Sequence, residues 1–240
     1  GSSALGRHRI GGRTGWQLYE QHNNRALGIQ AAKQAVVMLD AVDAPSGMMP
    51  VVISNHGGVL FHEAVGHGLE ADVIRKKTSF YTDKIGQKVA SEKISLIDDA
   101  SLSNERGSYN VDDEGVPGQR KVLIRDGILQ GYLYDQFEAW QLHTLSSGNG
   151  RRDSYTNAPC PRMSNTLILN GEDEPESIIK ETKRGIYAAD FGGGMVDPTS
   201  GDFTFNTTEA YLIEDGKITA PVKGVSLVGN GPQVLTRIDR

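Results

Sequence analysis

Cysteine is nearly absent: Cys160 stands alone among 240 residues, so no intrachain disulfide can form. A reducing compartment, the cytoplasm, is the default expectation. Long apolar runs are missing as well. None approaches the roughly 20 residues that a membrane-spanning helix needs, so no membrane association is expected. Positive charge is not in excess, with 25 Lys and Arg against 30 Asp and Glu and a net charge of -5. No basic face is evident, which argues against nucleic acid as a partner. What remains is a chain long enough to bury a real core, as one large domain or two small ones.

One stretch sets two of the six histidines close to a glutamate. Gly58-Val59-Leu60-Phe61-His62-Glu63-Ala64-Val65-Gly66-His67-Gly68-Leu69-Glu70 sets two imidazoles and a carboxylate among apolar residues, in what reads as a buried helix. Neutral imidazoles are ready ligands for zinc, and an adjacent glutamate can act as general base on a metal-bound water. The familiar metalloprotease spacing, H-E-x-x-H, places both histidines on one helical face. Here they stand five apart. At about 100° per residue that separates them by roughly 140° on an ideal α-helix, against roughly 40° for a spacing of four. A π-bulge, or unwinding at the helix end, would bring them together, and Gly66 and Gly68 permit either. On spacing alone two readings stand: a metal site, or two unrelated histidines with one buried and one exposed.

The elements around this stretch follow from periodicity. Residues 1–23 are expected to be a tag remnant (Gly1-Ser2-Ser3) and a flexible arm, and 24–240 a domain with no compositional break. Ala32, Ala35, Val36 and Leu39 predict an amphipathic helix over 25–41, with Lys33 and Gln34 facing out. Short strands are expected at 50–54, 94–97, 108–111, 203–206 and 225–228. Two hairpins should turn at Asp126-Gly127 and Asp215-Gly216, pairs that accept the positive φ of a type I′ turn. A late helix begins near Pro175, with acid in its first turn. The count predicts an α+β fold, mainly antiparallel sheet with two or three helices, one of them the motif helix.

The stretch from His62 to Glu70 resembles the H-E-x-x-x-H motif of the TldD/PmbA (TldE) metallopeptidase family, on its TldD-like side. Segments 112–119, 148–152, 161–166, 191–194 and 208–213 resemble the same family's C-terminal half, in the same order, from about residue 30 to 231. The resemblance implies zinc on His62 and His67, Glu63 as the catalytic base, small or unfolded peptides as substrates, and a TldE/PmbA-like paralogous subunit as partner. In that family the third ligand is a cysteine in a glycine-rich C-terminal segment, beyond the part matching 225–231. This chain reaches Arg240 without one, and Cys160 corresponds to no ligand. The chain is therefore expected to be a truncated C-terminal part, lacking the N-terminal domain and the tail. It is expected to bind zinc weakly or not at all and to be inactive alone.

Other constellations carry alternatives. Arg151 and Arg152 could clamp a substrate carboxylate through paired N–H bonds, or could fasten a long loop. Gly192-Gly193-Gly194 lacks the spacing and lysine of a phosphate loop, and a bend or a close backbone approach is expected. Asp98-Asp99 and Asp112-Asp113-Glu114 could hold a hard cation, but they lack EF-hand spacing and read as strand-end and turn acids. The rival functions are a non-catalytic peptide-binding or assembly module with an incomplete metal site, and a regulator of a nucleic-acid enzyme.

Overall fold

The computed structural model describes residues 3–197 and 199–240. Gly1 and Ser2, the start of the expected tag remnant, lie outside them. The chain begins α1 (Gln17–Gln21), α2 (Asn24–Leu39), β1 (Val42–Asp43), β2 (Val51–Ile53), α3 (Gly58–Ala64) and α4 (Ala71–Arg75). It continues through β3 (Leu96–Asp99), β4 (Arg120–Arg125), β5 (Ile128–Leu129), α5 (Gln136–Gln141), β6 (Gly150–Arg151), β7 (Cys160–Pro161) and β8 (Thr166–Ile168). Last come α6 (Pro175–Glu181), β9 (Arg184–Val196), β10 (Asp202–Glu214), β11 (Lys217–Lys223), β12 (Ser226–Asn230) and α7 (Gly231–Arg237). The fold is α+β and mainly antiparallel, and the motif helix is present as α3. The seven α-helices among the described residues exceed the expected two or three, because four of them are short, of five to seven residues, and were not expected from periodicity: α1, α4, α5 and α7.

Two compact units divide the chain. The first comprises Gly1–Leu60, Glu172–Met195 and Thr204–Val228. Its sheet runs β1-β11-β10-β9-β2, with β12 also on β10. Parallel pairing occurs at the margins, Val42 with Val222 and Val51 with Ile186, while β10 and β11 are antiparallel. Ile186, Ala210, Val222 and Val225 form its buried core, with Val51 and Leu212 packed against them. The hairpin at Asp215-Gly216 turns as expected, both residues at positive φ (48° and 72°).

Helix α2 corrects the sequence reading. Gln34, expected to face out, is its one buried residue, and Val36 and Leu39 are 63% and 45% exposed. The polar side chain is inside because its partners are: the Arg7 backbone N–H donates to Gln34 Oε1 at 2.6 Å, and Gln34 Nε2 donates to Glu209 Oε2 at 2.8 Å. A buried amide so satisfied carries little penalty. The triglycine lies inside β9. A Cβ on Gly194 would run into the Phe205 ring, so this glycine makes room for an aromatic neighbour.

The second unit comprises Phe61–Gly171, Val196–Phe203 and Gly229–Arg240. Its four-stranded sheet, β5-β4-β3-β8, is antiparallel throughout. Leu96, Ile97, Leu123, Ile124, Leu129 and Leu133 are buried, each contributing about 1.5–3 kcal/mol of hydrophobic stabilisation. Asp126-Gly127 again turns at positive φ, 48° and 79°. The expected strand at 108–111 is not formed. Val111 makes only an isolated bridge to Pro117, and Asp112 instead organises a turn, accepting from the N–H groups of Glu114, Val116 and Gly150. Asp98, though buried in the middle of β3, is fully engaged. It accepts from Asn149 Nδ2, Ser164 N, Ser164 Oγ and Thr166 Oγ1, all within 2.7–2.9 Å.

Candidate metal centre

The site lies in the second unit and is built by a break in a helix. Helix α3 ends at Ala64, and the Val65 N–H still bonds the Phe61 carbonyl at 3.0 Å. Val65 then leaves helical geometry (φ -128°, ψ -50°), and Gly66–Leu69 continues as a tighter 3₁₀ turn. A 3₁₀ turn at about 120° per residue would by itself still leave a spacing of five roughly 120° apart, so it is the break at Val65 that redirects the second histidine. The spacing of five that would have splayed the imidazoles now brings them together. Their ring centroids are 5.1 Å apart and nearly perpendicular, at 84°.

Both glycines are required by what surrounds them. A Cβ on Gly66 would strike the sulfur of buried Met163, and one on Gly68 would meet the Tyr81 ring at 3.0 Å. Their value lies in close packing as much as in backbone freedom.

His62, Glu63 and His67 each offer a ligand atom, and these atoms all lie within 4.8 Å of one another. Among the described residues this is the only such cluster of three or more His, Cys, Asp or Glu side chains. Cys160 stands outside it, its sulfur facing the Arg151 carbonyl at 3.6 Å. His67 Nε2 is 3.6 Å from Glu63 Oε2, and the two side chains keep 32% and 38% of their exposure. The cluster is sheltered yet partly open to water. Glu63 also borders a small cleft that Ala64, Gly68, Tyr81 and Pro232 help to line.

Two residues absent from the sequence-level site complete the surroundings. Glu70, 3% exposed, places Oε1 at 3.1 Å from His67 Nδ1, and its Oε2 accepts from Arg162 Nη1 at 3.1 Å. The signal available was its position three residues after His67, one helical turn on. Nothing local pairs it with Arg162, 92 residues later. These contacts set opposite electrostatics for the two histidines. The bond to Glu70 raises the His67 pKa above its ordinary value against the cost of burial. Burial lowers that of His62, and the neighbouring His67 adds to the effect. Burial likewise raises the Glu70 carboxyl, opposed by His67 and Arg162.

Arg151 and Arg152 part company. Arg151 donates from Nη1 to the Met163 carbonyl at 2.8 Å and lies over the Tyr109 ring, 5.9 Å from its centroid. Its charge is felt at His62. Arg152 is engaged with Asp113: its N–H donates to Oδ2 at 2.7 Å, and Nη2 donates to the Asp113 carbonyl at 3.1 Å.

Comparison with known proteins places this arrangement in context. A family model described as PmbA/TldA metallopeptidase C-terminal domain matches residues 46–240. A Haemophilus influenzae protein named metalloprotease TldD homolog is 54% identical over 210 residues, covering 87% of this chain and 44% of that protein. A protein of the same name from Buchnera aphidicola is 46% identical over 246 residues, covering 99% of this chain and 51% of its own length. The chain thus spans about half the length of the curated relatives it matches. The crystal structure of TldE from Thermococcus kodakarensis superposes with a TM-score of 0.77 at 28% identity, covering 88% of this chain and 48% of that one. Among the described residues no helix is long and apolar enough to cross a membrane.

Proposed function

The chain belongs to the PmbA/TldA metallopeptidase C-terminal domain family, and from that premise we infer that it carries the metal-dependent hydrolytic site of a cytoplasmic peptidase acting on small or unfolded peptides. The observation that supports this best is the broken helix, which turns a spacing unsuited to one ion into a cluster of two imidazoles and a carboxylate. That donor set, half-buried and of borderline softness, fits zinc. His62 and His67 would hold it, and zinc so bound supplies Lewis acidity that polarises a carbonyl and eases ionisation of water.

The remaining chemistry belongs to the side chains. Glu63, beside His67 and partly open to solvent, takes a proton from the attacking water and returns it to the departing amine. Arg151 is anchored on the Met163 carbonyl with its charge near His62, a place from which a guanidinium can hold a peptide carboxylate or carbonyl. Arg152, next in sequence, adds charge to the same loop while spending its bonds on Asp113. The likeness to TldE supports a paralogous TldE/PmbA-like subunit as partner.

The test is elemental analysis of the purified chain after zinc loading, with His62→Ala and His67→Ala in parallel. Weak zinc uptake is expected in the wild type, and none in either variant. Full zinc retention by His67→Ala would sink the ligand assignment.

A further inference from the structure

Glu70 is a buried carboxylate, 3% exposed, in direct contact with the cluster, and the chemistry above gives it no task. Its burial is costly unless the charge is paired and hydrogen-bonded. Each carboxylate oxygen has one partner: Oε1 faces His67 Nδ1 and Oε2 takes the Arg162 Nη1 proton, both at 3.1 Å. The arginine is itself fastened, since Nη1 also donates to the Pro161 carbonyl at 2.6 Å and its backbone N–H to the Asn149 carbonyl at 2.9 Å.

The backbone of Glu70 is equally constrained. It pairs with Leu133 in an isolated bridge, the Leu133 N–H donating to the Leu69 carbonyl and the Ala71 N–H to the Leu133 carbonyl, each at 2.9 Å. The side chain therefore reaches His67 from a fixed platform, at the junction between the 3₁₀ turn and α4. A carboxylate only accepts, so the proton between them must sit on Nδ1. In the neutral imidazole that leaves the Nε2 lone pair on the side of Glu63, 3.6 Å away, within the cluster.

We propose that Glu70, held by Arg162, is a positioning residue that fixes His67 as the Nδ1–H tautomer and aims Nε2 at the metal position. This deepens the function inferred above and rests on it for the metal. Carboxylates that take the second imidazole proton in this way orient the ring, raise its donor strength and typically govern metal affinity by about 10–100-fold. The pair also accounts for two otherwise unexplained features, a buried carboxylate and a distant arginine whose charge neutralises it.

The experiment has two arms on the same intact chain: nitrogen NMR of the metal-free imidazoles, and zinc affinity by competition with a chromophoric chelator. Wild type, Glu70→Gln and Glu70→Ala are compared. At a pH where the imidazole is neutral, His67 is expected as Nδ1–H in the wild type and as a mixture of tautomers in Glu70→Ala. Zinc affinity is expected to fall about 10–100-fold in Glu70→Ala. Glu70→Gln, which keeps an acceptor but loses the charge, should recover part of both. The gradation distinguishes positioning from mere structural support, and melting temperatures identify any variant that has not folded. An Nε2–H tautomer in the wild type would overturn the proposal, as would equal zinc affinity in all three proteins. If the wild type takes up no zinc, the metal reading falls by itself, and the tautomer arm still decides the role of Glu70.

Discussion

Gln34 Nε2 donates a 2.8 Å hydrogen bond to Glu209 Oε2 across 175 residues of sequence, inside the first unit. Glu209 is held a second time by the Tyr211 hydroxyl, at 2.5 Å, and Gln34 in turn accepts from the Arg7 backbone. Helix α2 is thus oriented by a polar contact. Replacing Gln34 by Ala strands the Arg7 N–H and removes one donor from Glu209, and should cost about 1–3 kcal/mol. Val36→Lys, on the exposed face, should change stability by no more than about 0.5 kcal/mol. Urea melts of both variants check this. The reverse ranking would mean that the helix packs by its apolar stripe after all.

Cys160 is the one sulfur a zinc ion could recruit from cysteine in this chain. Its Sγ faces the Arg151 carbonyl, and burial raises its thiol pKa, which disfavours the thiolate that zinc prefers. Cys160→Ser is therefore expected to leave zinc uptake within about twofold of wild type, set against the 10–100-fold scale of a lost supporting contact. Measured loss of zinc in that variant would return Cys160 to the ligand set.

What could be read from the sequence was whatever local chemistry decides. Asp126-Gly127 and Asp215-Gly216 announce their turns because few residue pairs accept two positive φ angles in succession. The unwinding after α3 was legible for a similar reason, since two histidines five apart can share an ion only if the helix breaks. The face of α2 was not, because Glu209 lies far along the chain and amphipathic periodicity cannot weigh a buried amide against a valine. The expected strand at 108–111 was lost to Asp112, whose carboxylate gathers three backbone N–H groups into a turn. Helix α5 did leave a mark: Asp135 caps it and Glu138 follows at the third position, the spacing of a capping box. Arg162 left none.

That cap gives a pH-dependent test. Asp135 Oδ1 accepts the Glu138 N–H at 2.6 Å, yet burial pushes its carboxyl up to about 6, opposed by that bond and reinforced by Glu114, Glu138 and Asp72. The folded protein therefore holds this proton more tightly than the unfolded chain, whose carboxyl titrates near ~3.9. Where the native state binds more protons, stability falls as pH rises, so Asp135 withdraws stability between about pH 4 and pH 6. Asp135→Asn keeps a capping oxygen and has nothing to ionise. Its melting temperature relative to wild type should climb through that window and level off above it. A difference that does not vary with pH would show that Asp135 is not perturbed.

Glu63 separates the two roles a carboxylate in this cluster could play. It lies 3.6 Å from His67 Nε2, near enough to serve as a third ligand or as the base that handles the water proton. Glu63→Gln keeps the shape and an acceptor oxygen but cannot take up a proton. If Glu63 is the base, the variant should keep the zinc affinity of the wild type while hydrolysis of an unstructured peptide, assayed with the paralogous subunit present, falls ~10²–10⁴-fold. If it is a ligand, zinc is lost together with activity, because an amide is a weaker donor than a carboxylate to a divalent ion. Wild-type turnover with zinc retained would exclude both roles and leave Glu63 as a structural neighbour of His67. The first outcome is the one the geometry favours, because the carboxylate keeps more than a third of its exposure, as a group that must exchange protons with water and substrate needs to.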